Sequence, residues 1–150
     1  AAREHGVRVA ILRTGVVLDK AGGALAKMLP FFRVGLGGPV AGGRQYLPWI
    51  HADDIRGLYL AAVDGADWQG PFNACAPEPA TNRDFSRALG RALHRPAFAP
   101  VPGPAIHLLY GDMAEIVTTG QRAVPSAAER LGYRFRYAKL TAALENIFTA

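Results

Sequence analysis

"VRVAILR", residues 7–13, decides the fold class. Its apolar side chains fall on both alternating faces. A strand of that kind is covered on two sides, as in a parallel sheet, rather than half solvated as in an antiparallel hairpin. A parallel sheet needs helical crossovers, and the chain supplies them. "AGGALAKMLPFFRVG" (21–35) predicts a short helix from Gly23 to about Leu29, broken at Pro30. "GLGGPVAGG" (35–43) reads as a flexible or substrate-covering loop. "RQYLPWI" (44–50) reads as an extended piece that Pro48 places at an edge or a bend. A helix follows from Asp53 or Asp54 to about Val63, with Ile55, Leu58, Tyr59 and Ala62 on one face. "PFNACAP" (71–77) is a second strand. "TNRDFSRALGRALH" (81–94) is a helix capped by Thr81, with Asp84 completing a capping box.

Beyond Pro96 the texture changes to a proline-rich stretch. Ile106, Leu109, Met113 and Ile116 mark a helix, Ser126 to Leu131 another that stops at Gly132. "YRFRY" (133–137) alternates like a strand, and Leu140, Leu144, Ile147 and Phe148 mark a last helix. Strands alternating with helices give an α/β class. The expected division is residues 1–96 and a small, mostly helical unit over 97–150.

The chain has 150 residues, 50% of them hydrophobic and 19% charged, which is ordinary globular composition with room for a core. No run of about 18 apolar residues is present, so no membrane span is expected. The start lacks a signal-peptide h-region and an initiator Met, which points to a processed or excised piece. The net charge of +5 is the excess of 17 Lys and Arg over 12 Asp and Glu. They look scattered rather than clustered with aromatics, so nucleic acid is not the expected partner, and only a shallow attraction for anionic ligands remains. Cys75 is the single cysteine. It makes no intramolecular disulfide and sits in an apolar run, the setting of an inert buried thiol. A reducing compartment fits, and a cytoplasmic location is expected.

Several chemistries can be weighed on spacing. In the glycine-rich loop, Gly35 and Gly37 fit a dinucleotide fingerprint, but Val40 stands at its last glycine and Pro39 removes a backbone donor. Neither a G-x-S-x-G nucleophile elbow nor a Tyr-x-x-x-Lys pair occurs. "WIHADDIRG" (49–57) gathers His51, Asp53 and Asp54. They could hold a metal, act as an acid–base pair, or mark a strand-to-helix junction. Side chains of neighbouring residues at such a junction point apart. Capping by Asp53 or Asp54 is the favoured reading, with His51 orienting the turn or touching a ligand, and no metal or catalytic residue is assigned.

The order of "VRVAILRTGVVL", the glycine-rich loop, "WIHADDIRG" and "PFNACAPEP-TNRDF" resembles the C-terminal half of extended short-chain dehydrogenase/reductases. "GGALAKMLPFFRVGLGGPVAGGRQYLPWIHADD" and "ALHRPAFAPVP" resemble one atypical branch, the NAD-dependent epimerase/dehydratase or "epimerase family" proteins, whose chains end in a DUF1731 domain. The resemblance implies the C-terminal part of a Rossmann-like fold with a helical tail. It implies that Thr14, Gly15, Val16 and Val17 form the turn against the nicotinamide of NADP or NAD, with the glycine fingerprint and the Tyr-x-x-x-Lys in an N-terminal half that is not in this chain. It implies that Arg44, Gln45, Trp49 and His51 line a substrate cleft. One position departs: where sugar-nucleotide epimerases carry a diphosphate-gripping arginine, this chain has Leu47, so a nucleotide sugar is not implied. The implied reaction is hydride transfer on a small carbonyl or alcohol. The competing readings are a non-catalytic ligand-binding or protein-interaction module on the same scaffold and a basic nucleic-acid binder. Bared sheet edges would favour self-association.

Overall fold

A computed structural model describes residues 5–101 and 119–149. The chain enters through β1 (Ala10–Thr14) and β2 (Val16–Leu18), then α1 (Gly23–Arg33). It returns through β3 (Tyr46–Leu47) and β4 (Trp49–His51) into α2 (Ala52–Asp64). β5 (Gly70–Ala74), β6 (Ala80–Thr81) and α3 (Asn82–Ala92) follow, then α4 (Ser126–Arg130) and α5 (Leu140–Thr149). The expected helix through Ile106 and Ile116 lies outside the described residues.

The α/β class holds, and both longer pairings are parallel. β1 pairs with β5 from Ala10↔Gly70 to Thr14↔Ala74. β2 pairs with β4 from Val16↔Trp49 to Leu18↔His51. Residues 14–17 therefore do not form the expected turn. They run from the end of β1 into β2 and change neighbours at Gly15, whose N–H donates to the Ala74 carbonyl at 3.0 Å, while the Val16 N–H donates to that of Pro48 at 2.7 Å. A Cβ on Gly15 would stand 2.6 Å from the Pro48 oxygen, so only glycine permits the crossing. Pro48 makes the matching bend on the other strand, between β3, which pairs antiparallel with β6, and β4.

Two-sided burial belongs to β2 and β4, not to "VRVAILR". Leu18 and Trp49 pack with Leu25, Leu29, Phe32, Phe85, Leu89 and Leu144 on one face. Ile50 packs on the other with Leu58, Trp68, Phe72 and Ala128, joined by Val17. This is the period-two alternation of a strand between two layers. β1 is only half covered, with Ile11 47% exposed.

The expected break at Pro30 is also corrected: α1 continues through it to Arg33. Leu25, Leu29 and Phe32 lie one turn apart on the buried face, and their packing outweighs the hydrogen bond that Pro30 cannot donate. The capping box at α3 forms as read, with the Asp84 N–H on Thr81 Oγ1 at 3.1 Å. Gly132, at φ +80°, ends the last turn after α4.

Because Pro30 is exposed, replacing it removes no packing. Pro30→Ala is expected to stabilise the protein by about 1–3 kcal/mol by restoring the helix bond, less the unfolded-state entropy that proline removes. Urea denaturation of both forms measures it.

Candidate functional site

The junction read from "WIHADDIRG" begins at the carboxyl end of β4. The helix cap is His51, not Asp53 or Asp54: its Nδ1 accepts the Asp53 N–H at 3.0 Å. An imidazole that accepts through Nδ1 carries its proton on Nε2. Nε2 is buried without a well-formed hydrogen bond, although Asn146 of α5 lies beside the ring. The ring of Tyr137 covers it at 4.0 Å between centroids. Burial pushes the His51 pKa below its ordinary 6.5, against the opposing influence of Asp53, Asp54 and Asn146. The reading that His51 orients the turn is the one its hydrogen bond supports.

The two aspartates part company. Asp53 is a surface group paired with Arg56 at 2.7 Å and Arg136 at 3.6 Å. Asp54 is 2% exposed, and its carboxylate accepts the N–H of Arg136 at 2.7 Å and of Tyr137 at 2.9 Å. Its backbone carbonyl accepts the Tyr133 hydroxyl at 2.9 Å. Burial, helped by the Asp54 charge, pushes the Tyr133 pKa up to about 12. Gly57 makes room: a Cβ there would collide with the Tyr133 hydroxyl. With one side chain spent on a helix cap, one on backbone amides and one on surface arginines, His51, Asp53 and Asp54 do not converge on a metal. Among the described residues no three such ligands do.

These bonds also account for "YRFRY", which forms no strand. Its alternation is real, with Tyr133, Phe135 and Tyr137 half-buried and Arg134 and Arg136 exposed. The amides of residues 136 and 137 go to a carboxylate instead of a neighbouring strand.

The expected cofactor and cleft segments are partly brought together. Val16 and Val17 lie beside Trp49 and Ile50 on paired strands. Thr14 is exposed at the end of β1. Trp49 is 1% exposed and its indole N–H donates to the Glu78 carbonyl at 3.2 Å. Arg44 and Gln45 stand apart, next to the glycine-rich loop, where Gln45 Nε2 donates to the Val40 carbonyl at 2.9 Å. That loop is pinned rather than free: the Val40 N–H donates to buried Asn82 Oδ1 at 2.8 Å. Leu47 is 3% exposed, in the core and unable to grip a ligand. The Cys75 thiol is buried, which pushes its pKa up to about 11 and leaves it unreactive.

Sequence reasoning missed Asn82 as the loop's anchor. It also took the arginines as scattered, whereas Arg83, Arg87 and Arg91 stack along α3, with Arg95 beyond its end. The four-residue spacing was the available signal.

A family model described as a domain of unknown function (DUF1731) matches residues 101–147. The mouse (Mus musculus) epimerase family protein SDR39U1 is 43% identical over 141 residues, which are 93% of this chain and 48% of that protein. The Arabidopsis thaliana epimerase family protein SDR39U1 homolog, chloroplastic, is 43% identical over 94% of this chain and 41% of its own length. A crystal structure of human epimerase family protein SDR39U1 with NADPH is 38% identical, with a TM-score of 0.90 over 95% of this chain and 49% of that one. The chain thus spans about half the length, or somewhat less, of the relatives it matches.

Two outcomes follow. Asp54→Ala leaves two amides without their acceptor and is expected to cost about 2–4 kcal/mol, whereas Asp53→Ala, losing exposed pairs, should stay within about 1 kcal/mol. Thermal melts of both, with metal analysis of the purified protein, decide this, since bound metal lost in either variant would contradict it. The second outcome concerns pH. His51 binds a proton less readily folded than unfolded, so its contribution to stability is complete above pH 6.5 and falls as the pH drops from there towards the lowered folded value. His51→Asn keeps a good cap and removes the titration. Its stability near pH 7.5 should match the parent, and its slope between about pH 5 and 6.5 should be shallower.

Proposed function

The chain belongs to the epimerase family of short-chain dehydrogenase/reductase-like proteins, and we propose that it supplies the nicotinamide-side strand and one wall of the substrate cleft to an NADP- or NAD-dependent oxidoreductase. The observation that carries this reading is the pairing of Val16–Leu18 with Trp49–His51, directly after Thr14 pairs with Ala74, at the carboxyl ends of parallel strands. Open α/β sheets bind their ligands at that end. The human relative's structure, solved with NADPH, favours NADPH over NAD.

The fit of the nicotinamide to these residues is specific in kind. The Gly15 and Val16 amides are already bonded within the sheet, so they are not donors for the cofactor. The segment offers instead the exposed Thr14 side chain and the half-buried Val16 and Val17. Val16 would form an apolar rest for the ring and exclude water, Val17 would support the strand from the opposite face, and Thr14 would hold the ring's polar edge. The bound cofactor would supply the hydride. Trp49 and His51 shape the cleft floor from beneath, because both are buried. The substrate is proposed to be a small carbonyl or alcohol. With Leu47 in the core, a nucleotide sugar has no clamp at that position. The non-catalytic binding module remains as an outcome of the test. A cytoplasmic location is proposed with the oxidoreductase reading. The described helices include none long and apolar enough to cross a membrane.

The 150-residue sequence contains no G-x-G-x-x-G of the dinucleotide type. The chain alone is therefore expected to bind NADPH no tighter than millimolar, and the complete protein at least about tenfold tighter. Fluorescence titration of both checks this, and equal affinities would overturn the division of labour. Turnover of small aldehydes and ketones by the complete protein separates the enzyme from the binding module. Exposed Ile11, Leu60 and Val63 further predict that the isolated chain self-associates, measurable by sedimentation.

A further inference from the structure

Arg83, Arg87 and Arg91 lie four residues apart on α3, and Arg95 continues the interval. On a helix that spacing puts successive side chains on one face about 6 Å apart. All four are exposed, and none makes an ion pair with a described residue. Arg83 is held by a bond from Nη2 to the Gly42 carbonyl at 2.8 Å. Like charges so arranged repel one another unless an anion lies between them.

The surroundings turn the stripe into a groove. Gly90 lets the chain double back after α3: a Cβ there would meet Ala97 Cβ at 2.5 Å and the Arg95 carbonyl at 2.8 Å. The Arg95 N–H donates to the Gly90 carbonyl at 2.9 Å, and the Val101 N–H to that of Pro39 at 3.0 Å. The doubled-back segment thus pairs with the glycine-rich loop through the Val40–Val101 bridge, and the two together form a wall beside the arginines. They leave a cavity of about 760 Å³ lined by all four and by Phe98, which is 81% exposed. None of Thr14–Val17, Trp49 or His51 lines it.

We infer that this groove binds a nucleoside polyphosphate, its phosphates along Arg87, Arg91 and Arg95 and its base against Phe98. Guanidinium groups grip phosphate oxygens in pairs, and a triphosphate carries enough negative charge to balance the stripe. An exposed phenylalanine ring is a stacking platform for a base. The volume suits one small molecule better than a continuing nucleic-acid strand.

Calorimetry on the complete protein, with ATP, inorganic triphosphate and a single-stranded oligonucleotide as probes, tests this. ATP binding should weaken at least about tenfold in Arg87→Glu/Arg91→Glu. Phe98→Ala should weaken ATP about five- to tenfold and leave inorganic triphosphate unchanged. These side chains are exposed, so the variants should melt with the parent. The inference is overturned if ATP does not bind, or binds the double variant equally well. Displacement of ATP by the oligonucleotide at lower concentration would overturn it in favour of a nucleic-acid strand.

Discussion

The bond on which the arrangement depends is that of the Asp54 carboxylate to the amides of Arg136 and Tyr137. A carboxylate at 2% exposure is costly to bury unless its lone pairs are filled, and two consecutive N–H groups fill them. Bonds to a charged acceptor contribute about 1.5–3 kcal/mol each. Their effect is mainly positional. They fix residues 133–137 across the start of α2, where the Tyr133 hydroxyl bonds the Asp54 carbonyl and Gly57 leaves room for it. The chain then leads into α5, whose Ala143, Leu144 and Ile147 close the core against α3.

That clamp also decides what His51 can do. Tyr137 is carried over the imidazole by its own amide bond to Asp54, so closing the tail onto α2 and burying His51 are one event. A neutral, covered ring with Nδ1 spent on a backbone amide is a structural element of the junction. Thr14, at the carboxyl end of β1, stays exposed.

How much of this was legible depended on whether a pattern had one physical cause. The box of Thr81 and Asp84 is local and was read correctly, as was the stop at Gly132. The alternation in "YRFRY" reports sidedness, and sidedness is what the structure keeps; it does not report which acceptor the amides find. "VRVAILR" failed for a related reason. Apolar composition marks a capacity for two-sided burial, but the layers were supplied over β2 and β4. Pro30 was taken as a break because propensity was weighed without the buried face at Leu25, Leu29 and Phe32. Asp53 and Asp54 are better caps than histidine on average, yet the cap is set by where the strand ends, and β4 ends at His51. The arginines were counted along the chain, when their effect depends on the helical period.

The resulting sheet has a strong end and a weak one. Along β2 and β4 the apolar residues alternate between two clusters, and Leu18 and Ile50 are fully buried. Past Gly15, towards the start of β1, Ile11 and Val7 lie open to solvent. Burial of apolar area is the largest favourable term in folding, so the strand's contribution to stability rises along its length. The crossing at Gly15 divides the two regimes, and the 2.6 Å from a Cβ there to the Pro48 oxygen ties that division to a single hydrogen atom in place of a methyl group.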